Sequence, residues 1–185
     1  MKIALLGRLR SGKTTAMNMM IDIAKNDYNI DLAPMPLAKP IYDEAISFYE
    51  RNGLLWRKNR RLLEGLGEAF NSDYPHGDKL VEIFDINFHE YMAVIVEDTR
   101  RITQADYFVD MKFNLIRINA SEEIRKSRCK PGEFTSGHIT DIELDNYPVN
   151  FEISNESTLE ELRRNCQVIV DTIRQAELDL QFSRF

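Results

Sequence analysis

The chain has 185 residues, of which 43% are hydrophobic and 29% are charged, and its formal net charge is −6. This length suits one α/β domain, and the acidic balance argues against sequence-independent binding to a nucleic-acid polymer. No apolar stretch approaches the roughly 20 residues of a membrane span, and Gly-Arg-Leu-Arg interrupts the first apolar run where a signal peptide would continue. Cys129 and Cys166 fit no metal or redox spacing, so we expect free thiols in a cytoplasmic protein.

The first predicted strand, Ile3 to Leu6, runs into a glycine-containing loop and then into a predicted helix over Lys13 to Lys25. Between the two, Gly7 to Thr14 reads GRLRSGKT and matches the pattern G-x-x-x-x-G-K-[ST]. A true phosphate loop differs from a chance match in its context: it follows a strand directly and leads into a helix. The sequence therefore predicts a phosphate-binding loop at the start of the chain.

The chemistry of this loop predicts ATP and Mg²⁺ as ligands. Glycines permit a backbone curl in which successive N–H groups face one anion, and the positive end of the helix reinforces the attraction. Lys13 can reach the β- and γ-phosphates, and the Thr14 hydroxyl can bind Mg²⁺. The expected nucleotide-binding residues are Gly7, Arg8, Arg10, Ser11, Gly12, Lys13, Thr14 and Thr15.

The rest of the chain alternates predicted strands with predicted helices. The predicted strands cover residues 30–36, 92–96, 113–118 and 149–153, and the predicted helices cover 39–51, 57–70, 78–91, 103–109, 121–129 and 157–180. This alternation predicts a doubly wound, three-layer α/β/α fold of the P-loop NTPase type, with a five-stranded parallel sheet in a single domain. Within it we expect a helical acceptor-binding region at about 38–91 and a lid at about 125–147.

Charged residues follow the third predicted strand, at the sheet edge where the phosphate loop also lies. Asp98 is the expected Mg²⁺ ligand beside Thr14, with Glu97 as the alternative. Arginine binds phosphate oxygens bidentately, so clustered arginines favour a phosphate-transfer site, although any single one fits a solvated helix face equally well. The basic clusters are Arg100 and Arg101; Arg57, Lys58, Arg60 and Arg61; and Arg125, Lys126, Arg128 and Lys130.

Five stretches of the chain resemble the deoxynucleoside monophosphate kinases of phages and their bacterial relatives, a group related to phosphomevalonate and adenylate kinases. The stretches are ALLGRLRSGKTT, KNRRLLEGLGEAF, VEDTRRITQADYF, LIRINASEEIRKSR and GHITDIELDN. The resemblance implies transfer of the γ-phosphoryl group of ATP to a (deoxy)nucleoside monophosphate. It implies that Arg60, Asp98 and Arg100 bind the acceptor, and that Arg125 and Arg128 close over the transferring group with the lid. The implied catalytic residues are Lys13, Arg100, Arg125 and Arg128.

The sequence departs from the family pattern on the acceptor side. Lys39 stands where the family usually has an acid, Tyr42 where it has a base, and Thr103-Gln104 where it has Asn-Glu. Two alternatives therefore stay open, namely a kinase for another phosphorylated metabolite such as phosphomevalonate, and a nucleotide-binding protein whose acceptor site has decayed. The expected partners are ATP and a small phosphorylated acceptor, with no membrane and no nucleic-acid polymer, in a monomer or homodimer.

Overall fold

The computed structural model describes residues 1–72, 78–129 and 142–183. The strands are β1 (Lys2–Leu6), β2 (Ala33–Pro34), β3 (Val94–Val96), β4 (Asn114–Asn119) and β5 (Phe151–Ser154). The helices are α1 (Lys13–Tyr28), α2 (Lys39–Arg51), α3 (Arg60–Ser72), α4 (Lys79–Phe88), α5 (Ile102–Asp110), α6 (Glu122–Ser127) and α7 (Leu159–Phe182). Most of the predicted lid, residues 130–141, lies outside the described residues.

The five strands form one parallel sheet in the order β2-β3-β1-β4-β5. Strand β1 lies at the centre, where Ile3 is in register with Ile95 of β3 and Leu5 with Ile116 of β4. A central parallel strand covered on both faces reads as a continuous apolar run, which is what the sequence shows there. The predicted three-layer fold with a five-stranded parallel sheet is confirmed.

Two hydrophobic cores lie on opposite faces of the sheet, because successive strand residues point to opposite sides. On one face Ile3 and Leu5 pack with α1 and α7; on the other Ala4 and Leu6 pack with α2, α4 and α5. The helix residues of the first core include Met20, Ile23, Cys166, Ile169 and Val170, and those of the second include Ile41, Phe84 and Phe108. The sheet and the helices packed on its two faces make the three layers. The carboxyl ends of the strands form one edge of the middle layer.

Local chemistry accounts for the differences between predicted and observed boundaries. Strand β2 has two residues rather than seven. Its Pro34 suits an edge strand, because the N–H groups of Ala33 and Met35 make the bonds to β3. Beyond Pro36 the N–H groups of Leu37 and Ala38 bond Asp98 and do not continue the ladder. Helix α3 begins at Arg60, three residues later than predicted, where the Asn59 side chain accepts a hydrogen bond from the Leu62 N–H at 3.2 Å.

Among the described residues no helix is long and apolar enough to cross a membrane.

Candidate nucleotide and acceptor site

The loop between β1 and α1 has the backbone that a phosphate cradle requires. Gly7 and Gly12 adopt φ values of 140° and 104°, which disfavour any side chain. A Cβ on Gly7 would lie 2.4 Å from the Ile118 carbonyl oxygen, and one on Gly12 would lie 2.2 Å from the Asn155 amide nitrogen. Both glycines of the motif are therefore required by conformation and by close packing.

The N-terminus of α1 is open toward the same edge. Gly12 occupies the N-cap position, where no side chain caps the helix, and the first turn contains no acidic residue. Lys13, Thr14 and Thr15 form that turn. An uncapped helix N-terminus attracts anions through its N–H groups and its dipole. These residues therefore fit the triphosphate of a nucleotide, and the Mg²⁺ role of the Thr14 hydroxyl stays a prediction.

The Lys13 ammonium folds back over the loop. Its Nζ donates to the carbonyl oxygens of Gly7, at 2.6 Å, and of Arg8, at 3.1 Å. The Arg8 guanidinium in turn bonds Asp145, with Nε 3.0 Å from one carboxylate oxygen and 3.2 Å from the other. The positive charge of Lys13 is thus held at the predicted phosphate site.

Basic residues in the segment after β4 contact the phosphate loop. Arg125 is 5% exposed, and its guanidinium donates to the carbonyl oxygens of Leu9, at 3.4 Å, and Ala120, at 3.3 Å. These contacts join α6 to the phosphate loop and place a cation beside it. The predicted closure of this arginine over a phosphoryl group stays a prediction.

Arg128 and Asn155 form hydrogen bonds with the second half of the phosphate loop. Arg128 Nη1 lies 3.3 Å from the carbonyl oxygens of both Arg10 and Ser11, and Nη2 donates to the Asn155 carbonyl at 3.0 Å. The buried Asn155 amide donates to the Ser11 carbonyl at 2.8 Å. Sequence reasoning missed Asn155, although its signal is the one that identified Asp98: a polar residue directly after a buried parallel strand.

Asp98 anchors the turn that leads into α2. Its two carboxylate oxygens accept hydrogen bonds from the main-chain N–H groups of Leu37 and Ala38, each at 2.8 Å. Burial raises the pKa of the Asp98 carboxyl, and these hydrogen bonds and the charge of Arg100 oppose that rise. Each oxygen keeps a second lone pair. The predicted metal role is therefore compatible with this contact and stays a prediction, with Glu97 as its alternative.

Gln104, one of the departures from the family pattern, shapes the loop that carries Arg100. Its side-chain oxygen accepts from the N–H groups of Arg100, at 2.8 Å, and Arg101, at 3.3 Å. Its amide nitrogen donates to Asp78 at 2.8 Å, and Asp78 caps α4. Buried Gln104 thus joins the loop after β3 to α4, and the Arg100 side chain on this loop is exposed. Its contact with an acceptor stays a prediction.

The other acceptor-side residues lie on α2 and α3. Lys39 pairs with Asp43 at 2.5 Å, and the Tyr42 ring packs edge-on against Trp56 at a centroid distance of 6.5 Å. Arg60 is the first residue of α3, and its acceptor contact stays a prediction.

A cavity of about 590 Å³ adjoins the phosphate loop between the ends of β1 and β4. Small-molecule sites commonly have volumes in the range of about 300–1,000 Å³. The described residues that line it are Gly7, Arg8, Ser11, Thr99, Arg117, Ile118, Asn119, Ala120, Ser121, Glu122, Arg125, Leu144, Asp145 and Asn146. The site therefore combines a phosphate loop, an open helix N-terminus and a neighbouring cavity of substrate size.

Solved structures of small-molecule kinases share this architecture over their whole length. A shikimate kinase from Aquifex aeolicus matches with a TM-score of 0.58 and 17% identity over 95% of this chain and 98% of that one. A gluconokinase from Sinorhizobium meliloti 1021 matches with a TM-score of 0.52 and 12% identity over 100% and 97%, respectively. A sugar kinase from Janibacter sp. HTCC2649 matches with a TM-score of 0.50 and 14% identity over 91% of this chain and 93% of that one.

No protein-family model matches the sequence, and no curated protein matches it. The structural likeness at these low identities establishes the fold: the chain has the α/β/α architecture found in phosphate-loop kinases.

Proposed function

We propose that this protein is an ATP-dependent kinase that phosphorylates a small phosphorylated acceptor, namely a (deoxy)nucleoside monophosphate. The observation that carries the proposal is the phosphate loop, with its open helix N-terminus and folded-back Lys13, at the same sheet edge as the Asp98–Arg100 loop. The kinase folds of similar architecture support the coarser part, a small-molecule kinase. The resemblance of the sequence stretches supports the nucleotide acceptor.

The chemistry requires little more than positioning and charge neutralisation. An oxygen of the acceptor phosphate attacks the γ-phosphorus of ATP, the bond from that phosphorus to the β–γ bridging oxygen breaks, and ADP leaves with the bonding electron pair. The acceptor phosphate is already ionised, so no general base is required. Mg²⁺, when bound with ATP, neutralises charge on the β- and γ-oxygens. In this proposal Lys13 holds the donor phosphates and Arg100 orients the acceptor.

A second candidate is a kinase for another small metabolite. It is favoured by the structural likeness to a gluconokinase and a shikimate kinase. It is also favoured by Lys39 and Tyr42, which stand where the nucleotide kinases usually carry an acid and a base. The third candidate is a nucleotide-binding protein that turns over ATP slowly and has no acceptor.

One assay distinguishes these candidates. ADP release is measured with Mg·ATP alone and with dAMP, dCMP, dGMP, dTMP, phosphomevalonate, gluconate or shikimate. Stimulation by a deoxynucleoside monophosphate above the acceptor-free rate supports the proposal. Stimulation by one of the other three compounds alone replaces it with the second candidate, and the same slow rate throughout favours the nucleotide-binding module.

A further inference from the structure

The phosphate loop has a backbone that the surrounding structure must hold in place. Gly7 and Gly12 adopt φ values of 140° and 104°, and Arg10, which carries a side chain, adopts 62°. A left-handed backbone at a residue other than glycine costs free energy and persists where its surroundings fix it. The contacts that hold this loop are therefore part of what makes it ready for a nucleotide.

The second half of the loop is held through its main chain by side chains from elsewhere in the fold. Arg128 Nη1 lies 3.3 Å from the carbonyl oxygens of both Arg10 and Ser11, and the Asn155 amide donates to the Ser11 carbonyl at 2.8 Å. Arg10 thus keeps its left-handed conformation between bonded carbonyl groups.

The first half of the loop is held by Lys13 and Asp145. Lys13 Nζ donates to the carbonyl oxygens of Gly7 and Arg8, and the Arg8 guanidinium bonds both carboxylate oxygens of Asp145. An ammonium group has three donors, so each donor that turns to a phosphate oxygen is one fewer for these carbonyls. The bond to Asp145 does not involve Lys13, so it can hold Arg8 while Lys13 bonds a nucleotide.

Asp145 belongs to a turn, residues 142–147, that other bonds fix to the fold. Arg117 on β4 donates to the Leu144 carbonyl at 2.9 Å and to the Tyr147 carbonyl. The Leu144 side chain is buried in the second core, and the Tyr147 hydroxyl donates to an aspartate on α5 at 2.6 Å. The position of this turn therefore does not depend on its pair with the phosphate loop.

The pair between Arg8 and Asp145 orients the arginine more than it stabilises the fold. The two side chains are 43% and 31% exposed, and ion pairs this exposed contribute little to folding. A guanidinium bonded through Nε and Nη2 to both oxygens of one carboxylate nevertheless has a fixed orientation. A side chain that is ordered before the ligand arrives loses less conformational entropy on binding.

We propose that Asp145 is a positioning residue of the nucleotide-binding site: it orders Arg8, and with it the first half of the phosphate loop, for Mg·ATP. The inference rests on the ATP-binding part of the proposed function, and sequence reasoning gave Asp145 no role. The opposing effect is repulsion between the Asp145 carboxylate and the nucleotide phosphates. Arg8 neutralises this carboxylate and solvent screens the pair, so ordering outweighs repulsion and removal of Asp145 weakens binding.

The test measures Mg·ATP affinity by calorimetry, without acceptor, in Asp145→Ala and Asp145→Asn. Asp145→Ala leaves Arg8 without this bond, so we expect the dissociation constant for Mg·ATP to rise about three- to tenfold. Asparagine keeps one acceptor oxygen and loses the charge, so Asp145→Asn should lie between Asp145→Ala and wild type. The ligand-free melting temperature should fall by less than about 4 °C in both variants, because the pair is exposed.

Glu143→Ala is the matched control, because Glu143 lies on the same turn and contacts a different loop. Its carboxylate accepts from the Ile102 N–H at 2.9 Å, at the start of α5. The Mg·ATP affinity of Glu143→Ala should stay at the wild-type value.

A double-mutant cycle shows whether Asp145 acts through Arg8. Arg8→Ala removes the side chain that Asp145 orders, so adding Asp145→Ala to it should cause no further loss of Mg·ATP affinity. The same calorimetric titration measures the single and double variants.

Unchanged or tighter Mg·ATP binding in Asp145→Ala would show that the carboxylate does not order the site, and would overturn the inference. An equal loss in Glu143→Ala would assign the effect to the turn as a whole and would overturn it too. So would a further loss in the Arg8→Ala background. Because the test needs no acceptor, a wild type that binds Mg·ATP but that no acceptor stimulates would overturn the proposed kinase and leave this inference standing.

Discussion

Lys13 is the residue on which phosphate binding depends most directly. Its ammonium already lies over the loop, bonded to the Gly7 and Arg8 carbonyls. The carbonyls of the loop therefore hold this charge at the predicted phosphate site. The sequence motif predicts this role, and the structure adds the contacts that hold the side chain in place.

Lys13→Ala should weaken Mg·ATP binding or slow turnover by at least about tenfold, or about 1.4 kcal/mol, because the phosphate oxygens lose a point-charge partner. Calorimetry with Mg·ATP measures the affinity. Lys25→Ala is the matched control, since Lys25 lies in the last turn of the same helix and pairs with exposed Asp31 at 2.6 Å. Unchanged ATP affinity and turnover in Lys13→Ala would remove the phosphate-loop assignment.

Asp98 has two separable roles, an anchor for α2 and a ligand for Mg²⁺. Asp98→Asn should lower the free energy of unfolding by about 1–3 kcal/mol, because one of the two N–H groups loses its acceptor, while removal of a buried charge offsets part of that loss. If Asp98 also holds the metal, the Mg²⁺ concentration for half-maximal rate rises as well. Urea unfolding without Mg²⁺ and a Mg²⁺ titration of the rate measure the two effects.

The comparison variant for Asp98→Asn is Glu97→Gln. An unaltered Mg²⁺ titration in Asp98→Asn, with a shifted one in Glu97→Gln, would assign the metal role to Glu97 and leave Asp98 as the anchor. If Asp98→Asn had the same free energy of unfolding as wild type, the anchor role would be contradicted, because the bonds to Leu37 and Ala38 would then contribute no stability.

At the scale of secondary-structure elements, the loop from β3 to α5 joins the sheet to α2 and α4. Gln104 in the first turn of α5 bonds this loop and, through Asp78, the N-terminus of α4. Gln104 departs from the family pattern, which suggested a lost acceptor contact. In the structure this residue is a buried link between α5 and α4.

Gln104→Glu should destabilise the protein by at least about 1–3 kcal/mol at pH 7, because a second carboxylate would face buried Asp78. Like-charge repulsion raises the pKa of such a pair, so the folded variant binds a proton more tightly than the unfolded chain does. Relative stability should therefore recover as pH falls through that raised pKa. Urea unfolding between pH 4 and 8 measures the effect.

Gln175→Glu is the matched control for Gln104→Glu. Gln175 also donates to an aspartate, Asp179 at 2.8 Å, but both residues are exposed on α7. Solvent screens the new charge there, so we expect a change of less than about 0.5 kcal/mol. Equal effects of the two substitutions would show that the buried bridge between α5 and α4 contributes nothing particular.

Element boundaries show where sequence reasoning succeeds. Helix α2 spans Lys39–Arg51 as predicted, because a strong amphipathic pattern and a proline at its start define it locally. Strand β2 was predicted too long, since its apolar residues suggested a strand while the N–H groups of Leu37 and Ala38 bond Asp98 and not the ladder. Local patterns define long helices well, and short edge strands depend on neighbouring strands.

At the scale of the whole molecule, acceptor binding requires segments that are far apart in the chain to converge on one edge. Arg100 follows β3, and Arg60 begins α3. Arg60→Lys and Arg100→Lys should each raise the acceptor KM or lower kcat, because lysine cannot form the two parallel hydrogen bonds of a guanidinium. ATP affinity measured without acceptor should stay near wild type.

Steady-state kinetics with the best monophosphate tests this clamp, and Arg164→Lys is its control. Arg164 is exposed on α7 and pairs with Glu160 at 3.6 Å, away from the strand edge. If Arg60→Lys and Arg100→Lys both phosphorylate the acceptor with wild-type kcat/KM, these arginines are ordinary surface residues.

The sequence by itself determined the phosphate loop and the fold class. The motif from Gly7 to Thr14 and the alternation of strands with helices depend on neighbouring residues, and local geometry is what sequence patterns encode. The edge on which Asp98 lies also followed, because parallel strands bring their carboxyl ends together.

Only the tertiary structure decided the strand order and the partners of the loop. Asn155 bonds Ser11 across 144 positions and Arg128 bonds Arg10 across 118. No spacing rule connects residues so far apart, since their contact depends on the order β2-β3-β1-β4-β5 and on how α6 and α7 pack. The pair between Arg8 and Asp145 belongs to the same class, since its two residues are 137 positions apart.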